Sequence, residues 1–336
     1  VTIYVEPQNL KSIDASLGTN GSSMGSTIGG SLNLRLAEPM INKQSITGRA
    51  GVGYQSVSKG VNYFTDANFS HQNSAYRASV IYRKSQNYKD GQGQTVKFSQ
   101  FEKTNFSLAG KWGIKKDTLK ANFLIDEGKN IGFPALSMDV GKARASMYAL
   151  SYIRHTDSGW LNNLEAKVYA NEVYHQMDDS QREVLMHMDM PGWSSTYGAY
   201  AEAKIKKLNN HKIKLRSDLY HNRVLAEMVM YASDGSSMYM QTWPSSYRTV
   251  AGFYMGDDIK VSSLVKVNLN ARLDVSSTTI EEGFGKDQLE VFYSSFNSSS
   301  QNLTKSFNAS ISKSFFNNFI LTLHGGYGEK IGRAHV

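Results

Sequence analysis

The 336 residues include no cysteine, which excludes disulfides, thiolate metal centres and cysteine nucleophiles. No run of about eighteen apolar residues occurs, so no helix can cross a bilayer and any membrane passage must use strands. Catalytic signatures are missing as well. There is no His-Glu-x-x-His, no Gly-x-Ser-x-Gly between a strand and a helix, and no Gly-Lys-Ser/Thr closing a glycine-rich loop, so the sequence reads as a non-enzyme without a resident cofactor. The net charge is +8, but Lys and Arg are scattered rather than gathered, which speaks against nucleic acid as a partner. The mean hydropathy is mildly negative. A barrel with half its strand residues facing a wet interior averages out to such a value.

What is present is a period of two. Val265, Val267, Leu269, Ala271, Leu273 and Val275 alternate with Lys266, Asn268, Asn270, Arg272 and Asp274 over about eleven residues, the length that crosses a bilayer at a tilt. The same alternation runs through Ala199–Lys206, Lys212–Tyr220, Leu119–Asp126 and Leu164–Asn171. It predicts strands over 45–56, 61–72, 76–86, 101–114, 118–127, 143–155, 160–173, 195–207, 211–223, 247–260, 264–277, 302–314 and 318–329. Short turns near Asn73, Lys115, Asp157, Asn209, Ser262 and Asn317 alternate with long connections at 87–100, 128–142, 174–194, 224–246 and 278–301, as in a barrel with opposite membrane surfaces. The five prolines fall in the first 44 residues (Pro7, Pro39) or in three of those long connections (Pro134, Pro191, Pro244).

Residues 1–44 differ. Val1–Ile13, a glycine-rich turn, and Ile28-Gly29-Gly30-Ser31-Leu32-Asn33-Leu34 resemble the end of the plug domain in TonB-dependent outer-membrane receptors, where a Gly-Gly-x-hydrophobic-Asn-hydrophobic strand precedes the barrel. Gly29, Gly30 and Asn33 carry the match; the Arg-Gly-Pro turn of many members is missing. Gly132–Leu136 and His187–Gly192 are similar to loop segments of Bacteroidetes-type members. The resemblance implies an all-β transmembrane antiparallel barrel, with 1–44 as the C-terminal part of a plug and 45–330 as the first part of the barrel. Barrels of this kind have about 22 strands, so the chain is expected to be an internal fragment holding about thirteen. Residues 331–336 break the strand pattern and are expected to be non-native. The resemblance also implies a Gram-negative outer membrane, a TonB energy-transducing partner acting through the missing N-terminal region, contact with outer-membrane lipid, and import of a scarce extracellular metal or metal chelate such as a siderophore.

Eight of the thirteen methionines lie in or beside 174–194 and 224–246: Met177, Met186, Met188, Met190, Met228, Met230, Met238 and Met240. Their spacing of two puts Met186, Met188 and Met190 on one face of an extended chain, with His187 and Asp189 opposite. Two readings stand. Thioethers select Cu(I), with His187, His175 or His221 as further ligands; equally, methionine is an adaptable filler between packed loops. Trp193 and Trp243 border the same segments and suit a membrane interface. At the level of function, an importing receptor competes with a non-transporting outer-membrane barrel, an adhesin or structural protein. The Gly29-Gly30 segment ahead of the first long strand favours the receptor, because a plain barrel has no use for it.

Overall fold

The computed structural model describes residues 4–41, 45–156, 160–205, 208–293, 295–315 and 319–330. The expected turns at Asp157 and Asn317 and the tail 331–336 lie outside the described residues. A two-stranded hairpin comes first, β1 (Leu10–Leu17) with β2 (Gly30–Leu36), joined through a 3-10 segment at Gly18–Met24. Thirteen strands follow: β3 (Ser45–Gln55), β4 (Gly60–His71), β5 (Ser74–Ser85), β6 (Phe101–Ile114), β7 (Asp117–Ile131), β8 (Asp139–His155), β9 (Leu161–Asp178), β10 (His187–Ile205), β11 (His211–Tyr231), β12 (Ser237–Lys260), β13 (Val265–Ile280), β14 (Ser299–Phe315) and β15 (Phe319–Gly328). Each pairs antiparallel with its sequence neighbours in a single sheet, and β3 and β15 are its two edges. The thirteen predicted strands are all found, and the fold is an all-β partial barrel.

Burial along β13 is the reverse of that in a soluble sheet. Leu269, Leu273 and Val275 are 37%, 48% and 57% exposed, whereas Asn270, Arg272 and Asp274 are at most 6%. The apolar face is outward, and the polar face is covered because the N-terminal segment lies on it. Asn9 accepts hydrogen bonds from Arg77 and Ser79 on β5 and donates to Asn105 on β6 at 2.8 Å. Glu6 pairs with Lys103 at 2.7 Å, and Ser26 donates to Asp274 on β13 at 2.7 Å. Thr19 accepts from Asn308 on β14 and abuts Gly328 on β15. Ten residues of chain reach at most about 36 Å. The ten inter-strand steps from β5 to β15 amount to about 48 Å along the sheet. Asn9 and Thr19 can meet both only because the sheet curls around them.

The wall also holds itself together on the inner face. Arg272 grips Asp218 through two hydrogen bonds of 2.8 Å and Asp274 through Nε at 3.0 Å, linking β11 to β13 across β12. A charge removed from bulk water in this way stays ionised only when paired and hydrogen-bonded.

Two expectations need correction. The segments 174–194 and 224–246 are mostly strand, since β9 continues to Asp178, β10 starts at His187, β11 runs to Tyr231 and β12 starts at Ser237. With 24 residues β12 is more than twice the length that crosses a bilayer. Pro191 and Pro244 therefore sit within strands. Pro191 falls at a gap in the β10–β11 pairing, and Pro244 lies where two register shifts bulge β12 against β11, so neither removes a needed ladder bond. The second concerns the long connection expected at 278–301, which contains a helix, α1 (Phe284–Phe292).

Candidate metal site on the inner face

The outward extension of β9 to β12 orders the methionines. Register pairs Met177 with Met190 and Met228 with Met240. Between the paired positions Asp189–Val229 and Gly192–Ala226, Met190 stands opposite Met228, which completes a row of four across β9, β10, β11 and β12. A second row, two residues further out, consists of Met188, Met230 and Met238. Side chains directly opposite in such ladders have Cβ atoms about 4.5–5.5 Å apart, within bridging reach of a thioether. Alternation carried along the strands puts both rows on the face of Arg216, Arg272 and the N-terminal segment.

An apolar cluster links the rows to that segment. Tyr4 packs into the apolar cluster of Val140, Ala143 and Ala145, against which Met177 also lies. His175 occupies the same face two residues along β9, opposite Gly192. The rows thus begin where the N-terminal segment meets the wall.

Not every sequence candidate joins them. Met186 precedes β10 and is exposed. His187, next to Met188 in the strand, lies on the other face, with Nδ1 3.1 Å from the carboxylate of Asp179. His221 is outward too, stacked on Tyr247 and 2.9 Å from the Thr249 hydroxyl, so it does not reach the rows. Trp193 is outward and tilts against Tyr174, and Trp243 is exposed at the bulge of β12. Of the glycine pair, only Gly30 is conformationally required. Its φ is +135°, and a Cβ there would overlap the Ser16 carbonyl oxygen, whereas one on Gly29 would meet nothing. Asn33 pairs with Asp14 across the hairpin.

Sequence reasoning missed the supports. Asp179, 1% exposed, accepts the Met188 amide at 3.0 Å and so fixes where β10 begins. Arg182 fastens the neighbouring connections: it pairs with Asp139 at 2.6 Å, donates to the carbonyls of Phe133 and Leu136, and stacks 3.9 Å above the Phe98 ring. At the far end of the N-terminal segment, burial would raise the pKa of Glu38, but the hydrogen bond from Lys120 and the charges of Lys120, Lys111 and Lys11 hold it below the ordinary carboxylate value. No group of three or more His, Asp or Glu side chains that could hold a metal ion occurs among the described residues.

No family model and no curated protein matches the sequence. Solved structures do. The copper transporter OprC superposes with a TM-score of 0.84 at 17% identity, over 97% of this chain and 51% of that one. What is shared is the fold. The ferric citrate transporter FecA in its unliganded form gives 0.72 at 10% identity, over 96% of this chain and 50% of that one. The FrpB iron transporter from Neisseria meningitidis gives 0.65 at 14%, over 92% and 53%. The chain spans about half the length of these neighbours.

Proposed function

We propose that the chain is part of a TonB-dependent receptor in the outer membrane of a Gram-negative bacterium, that residues 1–44 are the end of its plug, and that it imports a soft metal ion, Cu(I), or a chelate of one. The observation that carries this reading is the pair of methionine rows on the inner face, beginning at the Tyr4 contact. Thioether sulfur is a weak donor to hard cations and a good one to Cu(I). Seven methionines in two ladders give an ion several equivalent sites, so it can move along the wall without full release. Energy transmitted to the plug would disturb the end of the rows where Met177 packs against the cluster that holds Tyr4, and would pass the cargo inward. The fold shared with metal transporters supports the reading. The Gly30 hairpin held against the inner face favours the receptor over a non-transporting barrel, in which it would only obstruct the interior.

The test is a Cu(I) titration of the full-length receptor against a competing chelator. Exchanging Met188, Met190 and Met230 for Leu keeps the apolar volume and costs under about 1.5 kcal/mol per site. Affinity should fall by at least about ten-fold, the effect of losing roughly 1.4 kcal/mol of ligand interaction. Unchanged affinity, or none in the parent, would return the methionines to packing.

A further inference from the structure

The methionines of the two rows differ in how far water reaches them. Met238 is 55% exposed, whereas the other six members are all partly covered. The cause lies in the sheet. Among the described residues β13 pairs with β12 only from Ser246 inward, so at Met238 the strand has a neighbour on one side, where Met230 stands, and none on the other. Helix α1 meets β12 at Tyr239, on the outward face, and further in at Gln241 and Pro244, so it leaves Met238 open. The turn just before is fixed. The Ala232 amide donates to the Ser236 carbonyl at 2.9 Å, and the Asp234 carboxylate accepts from the Ser236 amide and hydroxyl at 2.9 and 2.6 Å. Met238 is therefore held at the outer end of its row, two residues from a tight turn.

A thioether in that position meets dissolved oxidants before any other member of the rows. Hydrogen peroxide transfers one oxygen to such a sulfur: the O–O bond breaks, an S–O bond forms, sulfur gives up an electron pair, and the second oxygen leaves as water with both protons. The product is a polar sulfoxide. Its oxygen is a hard donor, so Cu(I) loses a ligand, and reduction of the sulfoxide restores the thioether. We propose that Met238 is a reversible oxidation site, through which peroxide in the medium turns down soft-metal capture at the outer row while the inner row of four keeps its sulfurs. The inference rests on the soft-metal reading of the rows. Ion and oxidant then compete for one sulfur, because coordination draws electron density from it and shields it. Met186 supplies a built-in comparison: it is 45% exposed but precedes β10 and lies outside the rows, so it is open to the oxidant without being a ligand.

Peptide mass spectrometry on the full-length receptor, treated with hydrogen peroxide in detergent, tests the site, and calorimetry with Ag(I) tests its consequence. Ag(I) is the probe because it is soft like Cu(I) and does not itself react with peroxide by one-electron steps. Sulfoxide should form at Met238 and Met186 ahead of the inner row, and Ag(I) should slow it at Met238 but not at Met186. Affinity for Ag(I) should fall about ten-fold on oxidation and return after treatment with a methionine sulfoxide reductase. Met186→Leu should lose affinity on oxidation as the parent does, whereas Met238→Leu should start lower and be indifferent to peroxide. Should Met238→Leu not fold, the parent's affinity, followed as sulfoxide accumulates at Met238, carries the same comparison. Oxidation no faster at Met238 than at Met190, an affinity unchanged once Met238 is oxidised, or an equal loss in Met238→Leu would overturn the inference. Any of these in a receptor that binds Ag(I) before treatment leaves the soft-metal reading standing; a receptor that binds neither Ag(I) nor Cu(I) overturns both.

Discussion

The buried carboxylate of Asp179 accepts the backbone N–H of Met188 at 3.0 Å, so the first residue of the outer methionine row is set by a side chain from the end of the preceding hairpin arm. Removing that acceptor leaves a buried amide without its partner, at a cost of about 1–3 kcal/mol. Asp179→Ala should speed hydrogen exchange at Met188 and lower Cu(I) affinity about ten-fold, while β11 and β12 keep their protection. Exchange rates and a chelator competition on the same sample check this.

The two neighbouring glycines should behave differently. Gly30→Ala forces a side chain into φ +135° and against the Ser16 carbonyl, which is expected to cost more than about 1 kcal/mol and to open the β1–β2 hairpin to protease. Gly29→Ala meets open space and should be close to neutral. Limited proteolysis of the two variants decides; equal sensitivity would refute the assignment.

Acid should release the end of the N-terminal segment at Glu38. A carboxylate whose folded pKa is depressed contributes stability that is fully present above its ordinary value of 4.5 and is lost as pH falls through the lower folded value. Protection of the amides near residues 37–41 should therefore decline below about pH 4.5. Glu38→Gln should make it pH-independent in that range. Hydrogen exchange across the window is the measurement.

The two faces of β13 should respond oppositely to charge. Leu269→Arg puts a cation on the outward apolar face and should destabilise by roughly 2–4 kcal/mol if near the bilayer midplane. Asn268→Arg puts it on the inner face beside Asp258, which already accepts from Asn268, and should assemble normally. Heat-modified electrophoretic mobility in membranes reports both.

Much of this architecture was legible because a sheet wet on one face writes its period into the chain. Alternations such as Val265–Val275 located all thirteen long strands, most of them to within a few residues. The outer halves of β9 to β12 were not legible. Met, Tyr and Trp on both faces give no apolar–polar contrast there, and Pro191 and Pro244 read as breaks although a pairing gap and a bulge absorb them. The methionines were therefore identified as a group but misplaced in loops, with His187 and His221 as expected companions that lie on the other face. Helix α1 was hidden because nine residues after a glycine hold too short a 3.6-residue pattern to stand out. Pairs such as Asn9 with Asn105, or Arg272 with Asp218, are separated by 96 and 54 residues, and no local spacing signals them.

The contacts that hold residues 4–41 inside the sheet are mostly hydrogen bonds and ion pairs, strung one after another from Glu6 and Asn9 through Thr19 and Ser26 to Glu38. Each breaks over a few tenths of an ångström, and water can take the place of either partner, so no large dry surface has to be exposed in a single event. Tension applied along the backbone would load these contacts in sequence, as a zip rather than a shear joint. The force needed would then depend on the strongest single link, and hardly at all on how many there are.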